Sequence, residues 1–342
     1  MISTGSRPLT AYGSRMADMK TQIILRPFDP ASDFRGWVEL RNAIYPHNPV
    51  SVESVRFHWD TLDQRRFHRE RHLALDHAAA RLVGSAGFSH EPEMFHPDKY
   101  VCHVYIHPDS QGRGIGTQLW EWLQGRLRGR GAVLARCGVW ENHPHAVAFA
   151  AHRGFREKRR AWQSILEVHN VDLGGLAYRW DRVATQGIVL TTLIDELERD
   201  AECLPKLYTL SNEALRHTPL PDVPTDPPYE MFHQWIMESP RRLPQAFFIA
   251  VDGARYIGVS FLEKGDEEGT ILQGLTATDP EYMRRGIAWA LKLNTVKYAQ
   301  ENGYKRIKTW NDTENQPMLS INLRLGFQPL PATITMEREF ER

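Results

Sequence analysis

The chain repeats itself, and that limits its fold more than any other feature. The stretch His107-Pro-Asp-Ser-Gln-Gly-Arg-Gly-Ile-Gly-Thr-Gln-Leu119 has an echo at Asp279-Pro-Glu-Tyr-Met-Arg-Arg-Gly-Ile-Ala-Trp-Ala-Leu291, and Arg153-Gly-Phe155 has one at Leu325-Gly-Phe327. Gly114 to Gly286 and Phe155 to Phe327 are both 172 positions apart (286 − 114 and 327 − 155), and Pro108/Pro280, Ile115/Ile287 and Gly131/Gly303 share that offset. Single glycines match by chance, but a collinear set at one offset means a duplicated unit with no net insertion between its copies. A length of 342 residues agrees with two domains of roughly 150 to 170 residues. The expected division is 21–170 and 187–342. The linker is expected at 171–186, where two adjacent glycines and no clear period occur, and residues 1–20, rich in Gly, Ser and Arg, are expected to form a disordered arm.

Hydrophobic residues make up 42% of the chain, enough for real cores. Lys+Arg and Asp+Glu both total 42, so no global basic field argues for nucleic acid or a membrane surface. Residues 1–186 carry 25 basic and 19 acidic side chains, leaving 17 and 23 for 187–342, so the halves have charges of +6 and −6 that favour docking. Three cysteines without a CxxC pair exclude a disulfide scaffold and point to a reducing compartment. No run of 18 apolar residues or signal-peptide stretch occurs, so a cytoplasmic protein is expected.

Periodicity gives one element order in both copies. In the first copy strands are expected at 22–26, 72–76, 82–90, 100–106, 132–139 and 160–168, and helices at 33–45, 52–64, 114–127 and 146–152. In the second, strands are expected at 187–192, 246–251, 256–262, 270–278, 306–310 and 334–338. Helices are expected at 195–217 (broken near Pro205), 229–237, 287–300 and 318–325. A Pro-rich loop, Pro219–Pro228, is expected to stiffen a substrate wall in the second copy, or else to lead into a helix whose aromatic stripe is ordinary core.

Gln111-Gly112-Arg113-Gly114-Ile115-Gly116 lies between an apolar strand and an amphipathic helix. Glycines allow a tight turn, and a helix start leaves N–H groups unpaired, so such a turn can hold phosphate oxygens without a particular side chain. Arg113 is placed to add a charge-assisted contact. The chain has neither GxxxxGK[ST] nor the three-glycine spacing of a dinucleotide fold.

Strand, Gln-x-x-Gly-x-Gly, helix, strand, short helix and Gly-Phe together resemble the GCN5-related N-acetyltransferase (GNAT) superfamily. Both halves carry the pattern, so the chain looks like a tandem member of α/β class, with the architecture shared by mycothiol synthase. The resemblance implies acetyl-CoA as co-substrate. It implies pantetheine contacts from the strand residues Val104, Tyr105 and Ile106 and from Thr276, Ala277 and Thr278. It also implies phosphate contacts from Gln111, Gly112, Arg113, Gly114, Ile115, Gly116 and Thr117, and from Met283, Arg284, Arg285, Gly286, Ile287 and Ala288. Asn311 and Asn315 complete the expected cofactor set. The copies depart from the family pattern in complementary ways: His143 stands where the second keeps Asn315, and Met283 replaces the usual Gln or Arg. The second copy is therefore preferred as catalytic.

Acetyl transfer to an amine needs a neutral nucleophile, a donor for the oxyanion and a proton for the thiolate. The family's usual Tyr acid, five residues before the Gly-Phe phenylalanine, is Ala150 in one copy and Asn322 in the other. Asn322, Tyr282 and Glu230 are the catalytic candidates, with Tyr298 and Glu263 behind them. A solvated surface carboxylate is the blander reading of each Glu. Cys102 and Cys137, in strands, are expected to be inert, and no metal is expected because the histidines lack ligand spacing. The expected activity is N-acetylation of a small-molecule primary amine, with a cysteinyl amine or a non-catalytic acyl-CoA scaffold as alternatives. Neither nucleic acid nor membrane is an expected partner.

Overall fold

The computed structural model describes residues 23–77 and 80–341, so the expected N-terminal arm lies outside the described residues. In the first copy come β1 (Ile23–Pro27), α1 (Phe34–Ile44), α2 (Val52–Thr61), β2 (Arg69–Asp76), β3 (Arg81–Ser89), β4 (Lys99–Ile106), α3 (Ile115–Gly129), β5 (Leu134–Trp140), α4 (Pro144–Ala151) and β6 (Arg156–Glu167). A linker helix, α5 (Tyr178–Ala184), follows. The second copy has β7 (Val189–Thr192), α6 (Leu193–Arg199), α7 (Cys203–Arg216), α8 (Tyr229–Met237), β8 (Arg242–Asp252), β9 (Arg255–Lys264), β10 (Thr270–Thr278), α9 (Ile287–Glu301), β11 (Arg306–Asp312), α10 (Gln316–Leu325) and β12 (Gln328–Glu339).

The twelve strands of the described residues form one sheet, ordered β1-β2-β3-β4-β5-β12-β6-β11-β10-β9-β8-β7. The order maps onto itself when each strand is replaced by its partner in the other copy and the list is reversed. The repeat is thus a pseudo-twofold in space, passing between β12 and β6. The last strands are exchanged. β12 pairs antiparallel with β5 from Thr333↔Trp140 to Glu339↔Leu134, and β6 with β11 from Arg306↔Glu167 to Asp312↔Ala161. Side-chain alternation along each exchanged strand buries one face. Ile334 and Met336 of β12 enter the first copy's core beside Leu119, Leu123 and Leu127 of α3. Leu166 and Val168 enter the second copy's core beside Leu293 and Val296 of α9. The sheet therefore runs across the boundary expected between 21–170 and 187–342.

Two further features were not expected. The linker, read as aperiodic, contains α5, whose Val183 is buried with Tyr282 and Ile287 and whose Trp180 Nε1 donates to Asn294 Oδ1 at 2.8 Å. Seven residues are too few to show a helical period. The Pro-rich loop walls a space shared by both copies: Pro219, Leu220 and Pro221 line a cavity of about 420 Å³ with Trp310, Asn311 and Asn315 of the second copy and Arg136 and Cys137 of the first. It also bonds to the first copy, where Thr225 N–H donates to the Glu93 carbonyl at 2.7 Å and the Phe95 N–H donates to Thr225 Oγ1 at 2.8 Å. The expected break in 195–217 falls at 200–202, and Pro205 sits in the first turn of α7, where its missing N–H costs nothing.

Candidate active site

Each glycine loop follows a short turn opened by a side chain: His107 Nδ1 accepts from Asp109 N–H (3.3 Å) and Asp279 Oδ1 from Glu281 N–H (2.9 Å). The backbone then turns left-handed twice, at Gly112 (φ +74°) and Gly114 (φ +80°) in one copy and at Arg284 (φ +63°) and Gly286 (φ +94°) in the other. Arginine in that region costs about 1 kcal/mol, yet the turn is kept. Among the described residues, no acceptor meets the N–H groups of 112–116 or 284–288. A Cβ added at Gly112 or Gly114 would meet nothing within 4 Å, so the first loop is open. Successive unpaired amides at a helix start form a concave anion site, and both loops fit a diphosphate on that ground.

Side chains dress the two cradles differently. Arg113 turns back to Asp76 Oδ2 at 2.9 Å. Thr117 Oγ1 accepts from Arg153 Nη2 at 3.0 Å. At the second cradle, Arg182 of α5 donates to the Arg284 carbonyl at 3.2 Å, and Gln186 donates to that of Arg285 at 3.1 Å. The Arg182 side chain lies 3.5 Å from where a Gly286 Cβ would be, so the linker partly covers this loop. Met283 is exposed.

Beyond the loops, the parallel strands part. β4 and β5 pair only at Lys99↔Leu134, Tyr100↔Ala135 and Val101↔Arg136, and β10 and β11 only at Thr270↔Arg306, Ile271↔Ile307 and Leu272↔Lys308. The strand residues expected to meet pantetheine, 104–106 and 276–278, lie on the diverging arms. The first opening is a slot of about 80 Å³ lined by Trp120, Leu123, Val139 and Phe149, with Tyr45, His103 and Tyr105 at its walls. A Cβ on Gly116 would come within 3.0 Å of the Phe149 ring, so this glycine lets the helix start close on the slot. Burial raises the phenol pKa values of Tyr45 and Tyr105 and pushes the Cys137 thiol up to about 12, so all three stay protonated. His103 Nε2 has no hydrogen-bond partner. Burial, reinforced by the nearby Arg71 charge, holds the imidazole down to about 3 and therefore neutral. His103 also borders a second cavity, of about 460 Å³, between α1, α2 and strands β2–β4.

The second opening has a different lining. Trp120 corresponds to Lys292, Leu123 to Thr295, Val139 to Asn311 and Ala150 to Asn322. Lys292 is 1% exposed, with Nζ 5.3 Å from the Phe327 ring centroid and no ion-pair or hydrogen-bond partner among the described residues; burial brings its pKa to about 7. β10 also carries a bulge, with three steps from Gln273 to Thr276 opposing two from Leu262 to Ser260, whereas β4 keeps unbroken register from Gly84↔Ile106 to Ser89↔Val101.

Of the expected catalytic residues, only Asn322 lies at the second opening, where its Nδ2 donates to Asn311 Oδ1 at 2.5 Å and its own Oδ1 is buried without a partner. Tyr282 sits beneath the cradle, its hydroxyl donating to Asp252 at 2.8 Å and its ring 4.5 Å below the Arg285 guanidinium. Glu230 is exposed at the start of α8. Glu263 lines a cavity of about 280 Å³ with Gln273 and Lys308, and burial raises its carboxyl pKa. Tyr298 packs on the second core. Asn315 Oδ1 accepts from Met318 N–H and so caps α10; His143 provides no such cap but stacks on Tyr45, 5.7 Å between centroids. Sequence reasoning missed Tyr45, Arg71 and Lys292, and weighed His103 only as a metal ligand. The strand expected at 72–76 begins at Arg69, and only that earlier start puts Arg69 and Arg71 on the face of Leu73.

Residues 34–155 and 204–327 each match the Acetyltransferase (GNAT) family. Among curated proteins the chain is 27% identical over 253 residues to a mycothiol acetyltransferase of Pseudarthrobacter chlorophenolicus, covering 72% of this chain and 71% of that one. It is 26% identical over 266 residues to the Nocardia farcinica protein of the same name, covering 76% and 80%. In fold it is similar to a tandem GNAT protein from the clavulanic acid biosynthesis pathway (TM-score 0.67, 17% identity, 93% and 98% covered). It is also similar to a GCN5-related N-acetyltransferase from Sphaerobacter thermophilus (TM-score 0.65, 19% identity, 93% and 95% covered). With two such units sharing one sheet, the chain belongs to the GNAT family as a tandem N-acetyltransferase.

Proposed function

We propose that the first copy performs the transfer, moving an acetyl group from acetyl-CoA to a primary amine of a small molecule. The observation that carries this is continuity: an open amide cradle leads to an apolar slot, and His103 joins the slot to a cavity large enough for an acceptor. The amides of 112–116 would hold the diphosphate, and the faces of Trp120, Phe149 and Val139 would flank the pantetheine arm. Acetyl-CoA supplies an activated thioester. The neutral amine attacks its carbonyl, and a backbone N–H on the diverging arm of β4 meets the developing oxyanion. His103 is far too weak a base to deprotonate an ammonium at equilibrium, so the amine arrives neutral, and Nε2 accepts a hydrogen bond from it that fixes its direction. Tyr45 and Tyr105, both protonated, stand at the slot to hydrogen-bond the departing sulfur. As the C–N bond forms the C–S bond breaks, and the proton shed by the nitrogen passes to the thiolate. The products are the amide and the CoA thiol, and both tyrosines end unchanged.

The bulge in β10 favours a second reading, transfer in the second copy, because an extra strand residue leaves an unpaired amide beside the opening. Separate Gly114→Glu and Gly286→Glu variants decide between them, assayed by thiol release with a panel of primary amines and checked for cooperative melting. Charge in the first cradle is expected to lower turnover by about a hundredfold or more, and charge in the second to leave it nearly intact. The reverse result moves the reaction to the second copy. The alternative acceptor is the cysteinyl amine of a mycothiol synthase-like enzyme, to be included in the panel.

A further inference from the structure

The 460 Å³ cavity beside His103 contains cationic groups that the transfer chemistry does not use. Arg71 extends from β2 into it. Its guanidinium lies 3.9 Å from the Trp37 ring centroid and 4.9 Å from those of Phe28 and Trp59. Stacking covers the faces of the group and leaves its edge unsatisfied. Nε and Nη1 are buried with no hydrogen-bond partner, and no carboxylate among the described residues forms an ion pair with it. Arg69, two positions along the same strand face, stacks 3.8 Å from Trp59 and donates to the Trp59 carbonyl, while its Nε is likewise buried and unpartnered.

The other charged groups at the cavity are already engaged. Arg241, reaching in from the second copy, donates to Ser54 Oγ at 2.9 Å and pairs with Asp266. Glu70 is held by Arg126 at 2.8 Å and by His68 at 2.8 Å. Asp60 acts on Arg69 only at a distance and makes no ion pair with it. His58 Nδ1 is on the Ser54 carbonyl at 2.8 Å. Two half-buried guanidiniums therefore share a half-open, aromatic-walled space, with buried N–H groups that no carboxylate among the described residues meets. Leaving a buried cation unpaired is strongly unfavourable, and cation–π contacts offset only part of that.

We propose that this cavity is an anion-recognition site for the acceptor, in which Arg71 and Arg69 receive a carboxylate or phosphate carried by the amine substrate. The inference rests on the reading that the first copy is the seat of transfer. It assigns the substrate class as an anionic primary amine, anchored at its charged end by β2 with its amino group towards His103. No covalent step is involved. Arg71 and Arg69 act as binding residues.

The test has one arm independent of turnover. With CoA saturating, so that neither glycine-loop cradle is left to take up the added anion, acetate and inorganic phosphate, each added at constant ionic strength against chloride, are expected to raise the melting temperature of the wild type and to lose that effect in Arg71→Met. Arg69→Gln serves as the second variant if Arg71→Met does not fold. The larger shift of the two identifies carboxylate or phosphate as the source. Gly114→Glu should keep the protection in full, because its cradle is blocked and its cavity is not; this separates failure of the anion site from failure of the catalytic assignment. In the second arm, kcat/KM is compared for an α-amino acid and its amide, and for an aminoalkyl phosphate and its alcohol. The variant is expected to lower the anionic member by about thirtyfold or more and to spare the neutral one. Wild-type protein protected no better by either anion than by chloride, or a variant protected as the wild type is, overturns the proposal. So does equal loss for charged and neutral acceptors.

Discussion

Trp120 and Lys292 stand at the same place on the helix after the glycine loop, 172 positions apart, and have opposite characters. One is an aromatic wall of an apolar slot; the other is a buried amine beside Phe327, the counterpart of the slot residue Phe155. The backbone has diverged far less than the side chains. Both copies keep two left-handed residues in the loop, three paired rungs before the strands part, and an exchanged last strand. Duplication has preserved the features built from main-chain geometry. Side chains in the openings have changed, as Trp120 against Lys292 and Val139 against Asn311 show.

The largest effects are expected from breaking the strand exchange. Met336→Ala deletes a buried side chain of the second repeat, at 4% exposure, and should destabilise by about 2–5 kcal/mol. Hydrogen exchange should quicken first in α3 and β5 of the other repeat. Leu166→Ala is the mirror experiment and should loosen α9 and β11. If protection is lost instead in the repeat that carries the mutation, the cores are not shared as the register requires.

The exchange marks the limit of what the sequence could tell. The 172-residue offset, the glycine loops and the strand–helix order were readable because they are local: each depends on spacing within one copy. Which β5 a final strand joins depends on contacts hundreds of residues away, and the pattern Ile334-x-Met336 fits either partner. Similarly, Val104 and Thr276 could be placed on diverging arms from family resemblance. The cavity holding Arg71 is assembled from α1, α2, three strands and Arg241 of the other copy. No spacing rule connects position 71 with 241. Lys292 was hidden because a lysine in an amphipathic helix is ordinarily read as its wet face, and α9 is wrapped by sheet and linker so closely that it has almost no wet face here.

An intermediate effect is expected from Lys292→Met, which tests whether the second opening holds an unpaired amine. Burial lowers the Lys292 pKa from 10.5 to about 7. Between those values the unfolded chain binds the proton and the folded chain does not, so wild-type stability should rise as pH increases from about 7 to 10 and be flat below. The apolar variant should lose that component and gain on the order of 3 kcal/mol at neutral pH. Denaturant melts at pH 6.5, 8 and 9.5 (values spanning about that window) read this directly. Parallel pH dependence in the two proteins would mean the amine has a partner, and the contrast with Trp120 would then be one of hydrogen bonding rather than charge.

The smallest effect sharpens the comparison of the cradles. Arg284 holds the left-handed conformation that Gly112 holds in the first copy. Replacing it with glycine relieves about 1 kcal/mol of backbone strain, but glycine also frees the unfolded chain and returns roughly half of that. Arg284→Gly should therefore stabilise by only about 0.5 kcal/mol, a shift of about one degree in melting temperature. Its value lies in the binding measurement. In a Gly114→Glu background only the second loop is free to bind, and calorimetry with CoA then reads that loop alone. If the amides of 284–288 supply the grip, removing the exposed Arg284 side chain should change the affinity by no more than about twofold, because the N–H groups face the same way in both proteins. A tenfold loss would show that charge has taken over from main-chain geometry in the second cradle, and the likeness of the two loops would then be one of shape without shared mechanism.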